Sequence, residues 1–249
     1  MTAPRLHLPQ AAWGGRVALP AAGRKHLIEV LRLRAGDEIE VFDGRGATGR
    51  GRLVHQDGAW CLELGPARRA AEPRPDCWLG LALLKGRKLD AVVRMATELG
   101  VVGVQPLLCR RSVPRPAADR LQRRLERWRT IAAQAARQSG RTTVPALQPV
   151  RTLEQVLAAP PPGQGLMLHE RAGGRLDRRL EALAGRPRWL LIGPEGGFAA
   201  EERQRAEAAG LVPVGLGLPV LQATTAAVVA VAFACVSGED PLDRGQALE

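Results

Sequence analysis

The residues best placed to do chemistry lie in Leu190–Gly197, where the apolar run Leu-Leu-Ile breaks into Gly-Pro-Glu-Gly-Gly. A helical segment follows from Phe198-Ala-Ala-Glu-Glu. Buried strand, tight turn and helix start are a common way to build a small-molecule site at the carboxyl end of a parallel sheet. Gly196 and Gly197 have no side chain and can adopt positive φ, so a ligand can approach their backbone amides closely. Pro194 stiffens the turn and removes one donor. Glu195 places a single carboxylate among exposed amides, either as a reacting group or as a fastener for the loop's own N–H groups.

A second stretch has the same layout. Val214-Gly-Leu-Gly-Leu-Pro-Val-Leu-Gln-Ala-Thr-Thr starts apolar, carries Gly215, Gly217 and Pro219, and runs into a small-residue helix from about Thr224. Two glycine-bearing loops in neighbouring strand–loop–helix units can form two walls of one pocket. Neither has the G-x-G-x-x-G spacing, and there is no Walker A sequence, so NAD or ATP held in the usual way is not expected.

The elements that must position these loops can be read from pattern. In residues 1 to about 70, strands are expected at Arg16–Pro20, Glu38–Phe42, Gly51–His55 and Ala59–Leu64, with a turn at Asp43-Gly-Arg-Gly. A short helix over Gly23–Leu33 carries Leu27, Val30 and Leu31 inward, and the whole reads as a small β-barrel. Pro66–Asp76 is proline-rich, charged and without apolar period, which marks a linker. From residue 75 to 244 apolar strands (Cys77–Leu84, Val101–Leu108, Gly165–His169, Trp189–Ile192, Val212–Leu216) alternate with helices, among them Lys88–Leu99 and Asp119–Ser139. That alternation implies an α/β fold, a parallel sheet covered by helices on both faces.

Composition narrows the partners. The 249 residues carry 36 Lys and Arg against 25 Asp and Glu, a net charge of +11. Such an excess suits a polyanion, because phosphate contacts dominate nucleic-acid affinity. Arg120, Arg123, Arg124, Arg127, Arg129 and Arg137 crowd one helix, either as a solvated face or as a surface for RNA phosphates. The four cysteines (Cys61, Cys77, Cys109, Cys235) are widely spaced with no C-x-x-C pair, so neither a metal site nor a disulfide framework is expected. No apolar run is long enough to span a membrane, and the N-terminus lacks a signal-peptide layout. A cytoplasmic protein with reduced thiols is the expectation.

Several segments together carry a family resemblance. Pro4-Arg-Leu-His-Leu, the run from His26 through Asp43-Gly-Arg-Gly, Lys85, Thr97-Glu-Leu-Gly-Val, Gln138-Ser-Gly-Arg141 and Gly193-Pro-Glu-Gly-Gly197 are similar, nearly end to end, to the bacterial small-subunit methyltransferase E family. That family belongs to the SPOUT superfamily and methylates N3 of a uridine in 16S ribosomal RNA. The resemblance implies a PUA-like RNA-binding barrel followed by a SPOUT methyltransferase domain with a C-terminal trefoil knot. It also implies S-adenosylmethionine as cofactor and a homodimer on the small ribosomal subunit.

Carried over by residue, the cofactor loops are Leu168, His169 and Glu170, then Ile192, Gly193, Pro194, Glu195, Gly196 and Gly197, then Leu216, Gly217, Leu218 and Leu221. Thr225 stands at the helix start below. Glu195 and Arg141 are the candidate catalytic residues; Arg5, Arg24, His26, Arg32 and Arg111 are the candidate RNA contacts. The chain departs from the pattern in one loop. Where members usually read Leu-Gly-x-Arg-Ile-Leu-Arg-Thr-Glu-Thr-Ala, this chain has Pro219, Gln222 and Thr224 in place of both arginines and the glutamate, and Arg137 replaces a usual glutamate. Two readings therefore stand: an active rRNA methyltransferase, or an RNA-binding relative that keeps fold and cofactor pocket with altered catalysis. An unrelated α/β enzyme acting on a small anionic metabolite would leave the basic surface and the barrel unexplained.

Overall fold

A computed structural model describes residues 4–69, 76–183 and 185–236. The chain divides into two units, Met1–Glu72 with Ala133–Val144, and Pro73–Ala132 with Pro145–Glu249. The last part of the linker reading (70–75) and of the large domain (beyond 236) lies outside the described residues.

In the first unit, strands β1 (Arg5–His7), β2 (Arg16–Ala18), β3 (Glu38–Phe42), β4 (Ala47–Gln56), β5 (Ala59–Leu64) and β6 (Arg68–Arg69) form one sheet in the order β1-β3-β4-β5-β2, with β6 also on β4. Only β1 and β3 run parallel. Alternation along β3 turns Ile39 and Val41 inward, where they meet Leu6, Leu27, Leu53 and Leu62. The linker starts later than the expected Pro66, because Arg68–Arg69 pair with Ala47–Thr48.

The Gly23–Leu33 segment is helical but phased differently from the expectation. It starts as α1 (Ala21–Arg24) and widens into π-helical turns over Lys25–Val30, with the Leu31 amide reaching back to the His26 carbonyl. The extra residue per turn rotates the face. Leu27 stays buried, but Val30 and Leu31 are 62% and 41% exposed rather than inward.

The Asp43–Gly46 turn forms as read. Asp43 Oδ1 accepts the amides of Arg45 (2.7 Å) and Ala47 (3.0 Å). What the sequence did not show is its use. Val144 donates to the Gly44 carbonyl (2.9 Å) and Gly46 to the Thr142 carbonyl (3.2 Å), so a segment from mid-chain docks on this turn. Gly44 has φ +77°, and a Cβ there would fall 2.6 Å from His7 Nε2.

Arg5 completes the docking and is not the open RNA contact that was expected. Its guanidinium pairs with Glu40 (3.0 Å), lies 4.8 Å from the Phe42 ring, and donates to the carbonyls of Arg137 and Arg141 (3.2 Å each). The Arg137 carbonyl is in the last turn of the helix Ala118–Gln138, where carbonyls lack intrahelical donors, and Arg141 lies just beyond it. With its side chain 13% exposed and its fork engaged, Arg5 serves as a helix cap.

The second unit runs β7 (Cys77–Ala82), α2 (Lys88–Leu99), β8 (Gly103–Leu108), α3 (Ala118–Gln138), β9 (Ala146–Leu147), β10 (Arg151–Thr152), α4 (Leu153–Ala158), β11 (Gln164–Leu168), α5 (Leu176–Leu183), β12 (Arg188–Ile192), α6 (Ala200–Ala208), β13 (Val212–Val214) and α7 (Ala223–Val236). Its strands are all parallel, in the order β10-β8-β7-β12-β11-β13, with β9 also on β8. Every residue of β12 is buried, as a strand covered on both faces requires. Helix α7 packs against α2, α5, β7 and β12. Arg188, fully buried, donates to the Ala234 carbonyl (3.3 Å) and so ties β12 to the end of α7.

The basic helix α3 is partly neutralised from within. Arg123 pairs with Asp119, Arg129 with Glu126 (2.7 Å), and Arg127 with Asp90 (2.6 Å), which also accepts Trp128 Nε1 (3.0 Å). No helix among the described residues is long and apolar enough to cross a membrane.

Arg5→Ala is expected to destabilise the first unit by about 2 kcal/mol, the scale of a charged hydrogen-bond set. Hydrogen exchange should show residues 133–144 losing protection before the β12 amides. Unchanged protection there would contradict the capping role.

Candidate active site

Strand register builds the site. β11 lies between β12 and β13, with Met167 opposite Leu191 and Leu168 opposite Val214. The three strands therefore end at one level, and the loops that follow stand side by side. Together they line a cavity of about 740 Å³, within the roughly 300–1,000 Å³ usual for ligand sites.

The middle loop is a tight turn, the Gly197 amide donating to the Pro194 carbonyl at 2.8 Å. Of the two glycines read as free to take positive φ, only Gly197 does (+67°). Gly196 has no positive φ and a Cβ there would make only ordinary contact with Arg111, whose Nη1 donates to the Gly196 carbonyl at 2.9 Å. Arg111 is held there because Glu202, 5% exposed, accepts the amides of both Arg110 (2.7 Å) and Ala199 (2.8 Å). That one carboxylate joins the loop after β8 to the start of α6.

Glu195 points at neighbours from another loop. Its Oε1 accepts the Lys85 amide (3.3 Å) and pairs with Lys88 Nζ (3.2 Å). Burial raises its pKa, but hydrogen bonds from its own amide, Lys88 and the Lys85 amide outweigh that, and the carboxyl ends below its ordinary value. It is thus a fastened, ionised group.

The outer loop is braced by the first. Leu176 donates to the Gly215 carbonyl, and Gly215 to the Gly174 carbonyl (2.8 Å each). Gly217 has φ +69°, and a Cβ on it would lie 2.5 Å from Arg175 Nη1. Arg175 is itself fixed by Asp177 (Nη2–Oδ2 2.7 Å), whose pKa the arginine pulls down to about 2. His169 Nδ1 accepts the Arg171 amide at 3.2 Å, which orients its ring.

Most of the expected cofactor residues meet here. Leu168 and His169, Ile192 through Gly197, and Leu216, Gly217, Leu218 and Leu221 all line the cavity. Thr225 does not: it is exposed, and Ala223 and Ala226, one helical turn apart, present the inner face instead. Arg111 lines the cavity; Arg5, Arg24, His26, Arg32 and Arg141 belong to the other unit. Arg141 is 7% exposed and donates to Thr143 Oγ1 (2.8 Å) within the docked segment. Burial first, then Arg137, lower the His26 pKa, so its ring is neutral near pH 7 and adds no charge for phosphate. Arg24 and Arg32 are exposed. All four cysteines are free thiols, and no group of three or more metal-binding side chains occurs among the described residues.

Comparison with known proteins agrees with this geometry. A family model described as an RNA methyltransferase domain matches residues 71–234, and one described as an RNA methyltransferase PUA domain matches 19–58. The ribosomal RNA small subunit methyltransferase E of Synechocystis is 32% identical over 228 residues, 90% of this chain and 74% of the relative. The chain belongs to the small-subunit methyltransferase E family. A crystal structure of the Neisseria gonorrhoeae member, bound to S-adenosyl methionine, superposes with TM-score 0.81 at 30% identity, covering 92% of this chain and 95% of the other. A Legionella pneumophila protein described as a putative methyltransferase in complex with the same cofactor gives 0.85 at 25% identity, with 93% and 96% covered. The fold is the SPOUT type with a PUA-like N-terminal domain.

Three cations that line the cavity escaped the sequence reading: Lys88, Arg175 and Arg203. Lys88 opens α2 just past the end of β7, so the rule that ligands gather at carboxyl strand ends could have found it. Arg175 and Arg203 lie on helical approaches with no motif around them.

Gly217→Ala is expected to disturb the outer loop, because both its φ and the Arg175 guanidinium oppose a side chain. Calorimetry should show S-adenosylmethionine affinity falling more than tenfold, on the order of 1.4 kcal/mol or above. Wild-type affinity would mean that this turn is not part of the binding wall.

Proposed function

We propose that this protein is an S-adenosylmethionine-dependent methyltransferase acting on N3 of a uridine in 16S ribosomal RNA, in the cytoplasm. The observation that carries the reading is the convergence of three glycine-bearing loops on one cavity in a chain of this family. The residues present fit the cofactor. Gly217 supplies the positive φ (+69°) that the outer turn adopts, and the Gly193–Gly197 and Leu216–Leu221 backbones offer amides and carbonyls. Leu218 and Leu221 supply apolar flanks. When bound, the cofactor supplies a methyl group activated on a sulfonium.

The chain's part is then mostly positioning, which can account for much of a displacement's rate. The N3 proton of uracil must leave. Glu195 is a poor acceptor for it, because its pKa is lowered and Lys88 holds it. Its carboxylate instead fixes the loop and faces positive charge. Negative charge developing on the uracil is stabilised by the cationic lining of Lys88, Arg111, Arg175 and Arg203. Arg24 and Arg32, exposed on the first unit, supply phosphate contacts. The trefoil knot belongs to the same proposal, with the crossing from β12 past β11 to β13 and the return of α7 against β12 and β7 as its support.

A homodimer is part of the reading too. Helix α7 (Ala223–Val236) contains no charged residue, yet Phe233 and Val236 are 43% and 54% exposed, with Leu218 and Val220 also bare. A helix apolar all round is normally buried on every side, and closed two-fold pairs are the commonest oligomers. Light scattering at micromolar protein should give the mass of two chains; a monomer mass would remove this part.

The activity is tested by tritiated methyl transfer to undermethylated small subunits, with mass spectrometry of the product nucleoside. Transfer to uridine N3 is expected. Its rate should rise with pH towards ionisation of the base. Because the folded Glu195 pKa is depressed, the Glu195–Lys88 pair is complete above the ordinary carboxylate range and fails only as pH falls through its lowered value. A rate that instead rose through the carboxylate range would make Glu195 the base. Cofactor binding without any transfer would favour the relative with altered catalysis.

A further inference from the structure

The cations around the cavity end of the sheet fall into two groups. Four are matched to a carboxylate: Lys88 to Glu195 (3.2 Å), Arg110 to Glu201 (3.1 Å), Arg175 to Asp177 (2.7 Å) and Arg205 to Glu154 (3.0 Å). Two cavity-lining arginines, Arg111 and Arg203, have no carboxylate within 4.0 Å among the described residues. Both reach the same turn. Arg111, in the loop after β8, donates Nη1 to the Gly196 carbonyl at 2.9 Å. Arg203, in the first turns of α6, donates Nη1 to the Phe198 carbonyl at 3.4 Å, long for such a bond. The two carbonyls are two residues apart, at most about 7 Å of extended chain. Each guanidinium gives one N–H to the backbone and keeps the rest of its fork.

We infer that Arg111 and Arg203 form a two-guanidinium clasp for RNA phosphate over the Gly196–Phe198 turn, with Arg203 as a substrate-binding residue. This rests on the methyltransferase reading of the cavity. The charge of the ligands selects the occupant. S-adenosylmethionine carries a sulfonium and an ammonium against one carboxylate, so two unneutralised guanidiniums on one turn do not suit it overall. A phosphodiester brings an anion whose oxygens match the planar fork, and arginine binds it with two parallel hydrogen bonds. The outer loop of the cavity, Leu216–Gln222, has no cation of its own, so the grip on the backbone beside the target base falls to these two side chains.

The test measures binding of a fluorescein-labelled oligouridylate and of undermethylated 16S rRNA across salt concentrations. Wild type is compared with Arg203→Ala, Arg203→Lys, Arg111→Ala and, as control, Arg205→Ala. Arg203→Ala is expected to weaken RNA binding about tenfold and to lower the slope of log K against log salt by about 0.7. The KM for RNA should rise and that for S-adenosylmethionine should stay. Arg203→Lys should restore the slope but only part of the affinity, and Arg205→Ala should change neither. Unchanged RNA affinity and slope in Arg203→Ala would overturn the clasp. So would an effect confined to S-adenosylmethionine, which would assign Arg203 to its carboxylate, or an equal loss in Arg205→Ala, which would mean bulk charge alone. Absence of transfer by wild type would count against the methyltransferase reading, whereas the RNA slope is read without any turnover.

Discussion

Parallel pairing of β11 between β12 and β13 sets the level at which three loops leave the sheet, and the cavity follows from that level. The pairing is only as close as the residues allow. Gly163 has φ +93°, and a Cβ there would lie 2.1 Å from the Pro187 carbonyl oxygen. Gly165 faces Trp189, whose ring nitrogen would be 2.8 Å from a Cβ. Bulk at either point would separate β11 from β12 and shift the loop levels. The apolar core beneath, with Met167, Trp189, Leu191 and Phe198, then fixes the strands laterally.

Above that level, carboxylates act mainly as ligatures. Glu202 joins two backbone amides from distant loops, Glu195 joins the middle loop to the start of α2, and Asp177 immobilises the arginine that abuts Gly217. The buried Glu202 contributes about 1.5–3 kcal/mol per hydrogen bond, whereas the solvent-screened Glu195 and Asp177 pairs act mainly by restricting geometry. Glycine supplies the open backbone and the acids supply the rigidity it lacks. This division explains why so polar a rim surrounds a pocket whose walls are largely main chain and leucine.

The sequence was most informative where one residue type has one physical meaning. Gly193–Gly197 and Gly215–Gly217 marked two of the three loops, and the alternating and continuous apolar runs marked β3, β5 and β12 almost to the residue. The resemblance added the third loop at Leu168 and His169. Failures came where meaning depends on a distant partner. Arg5 was expected to contact RNA and Arg141 to be catalytic; the first holds a helix end and the second is buried in the same segment. Val30 and Leu31 fit a helical face, but the π-helical turns changed its period. Thr225 sat one position off the inward row of α7. Arg175 and Arg203 gave no signal, because a lone arginine on a helix is ordinarily a solvated one.

The docking of Ala133–Val144 on the first strands has a bearing on how the chain is made. The Arg5 bond to the Ala136 carbonyl spans 131 positions of sequence, so the N-terminal sheet cannot close its contacts when its own strands leave the ribosome. It must wait, incompletely packed, until the first two of the large sheet's seven strands have been synthesised. Such long-range closure slows folding and leaves early strands exposed to wrong partners during translation. For the same reason, the boundary near residue 70 does not mark an autonomous module. A protein cut there loses the helix end that its first strand is built to hold.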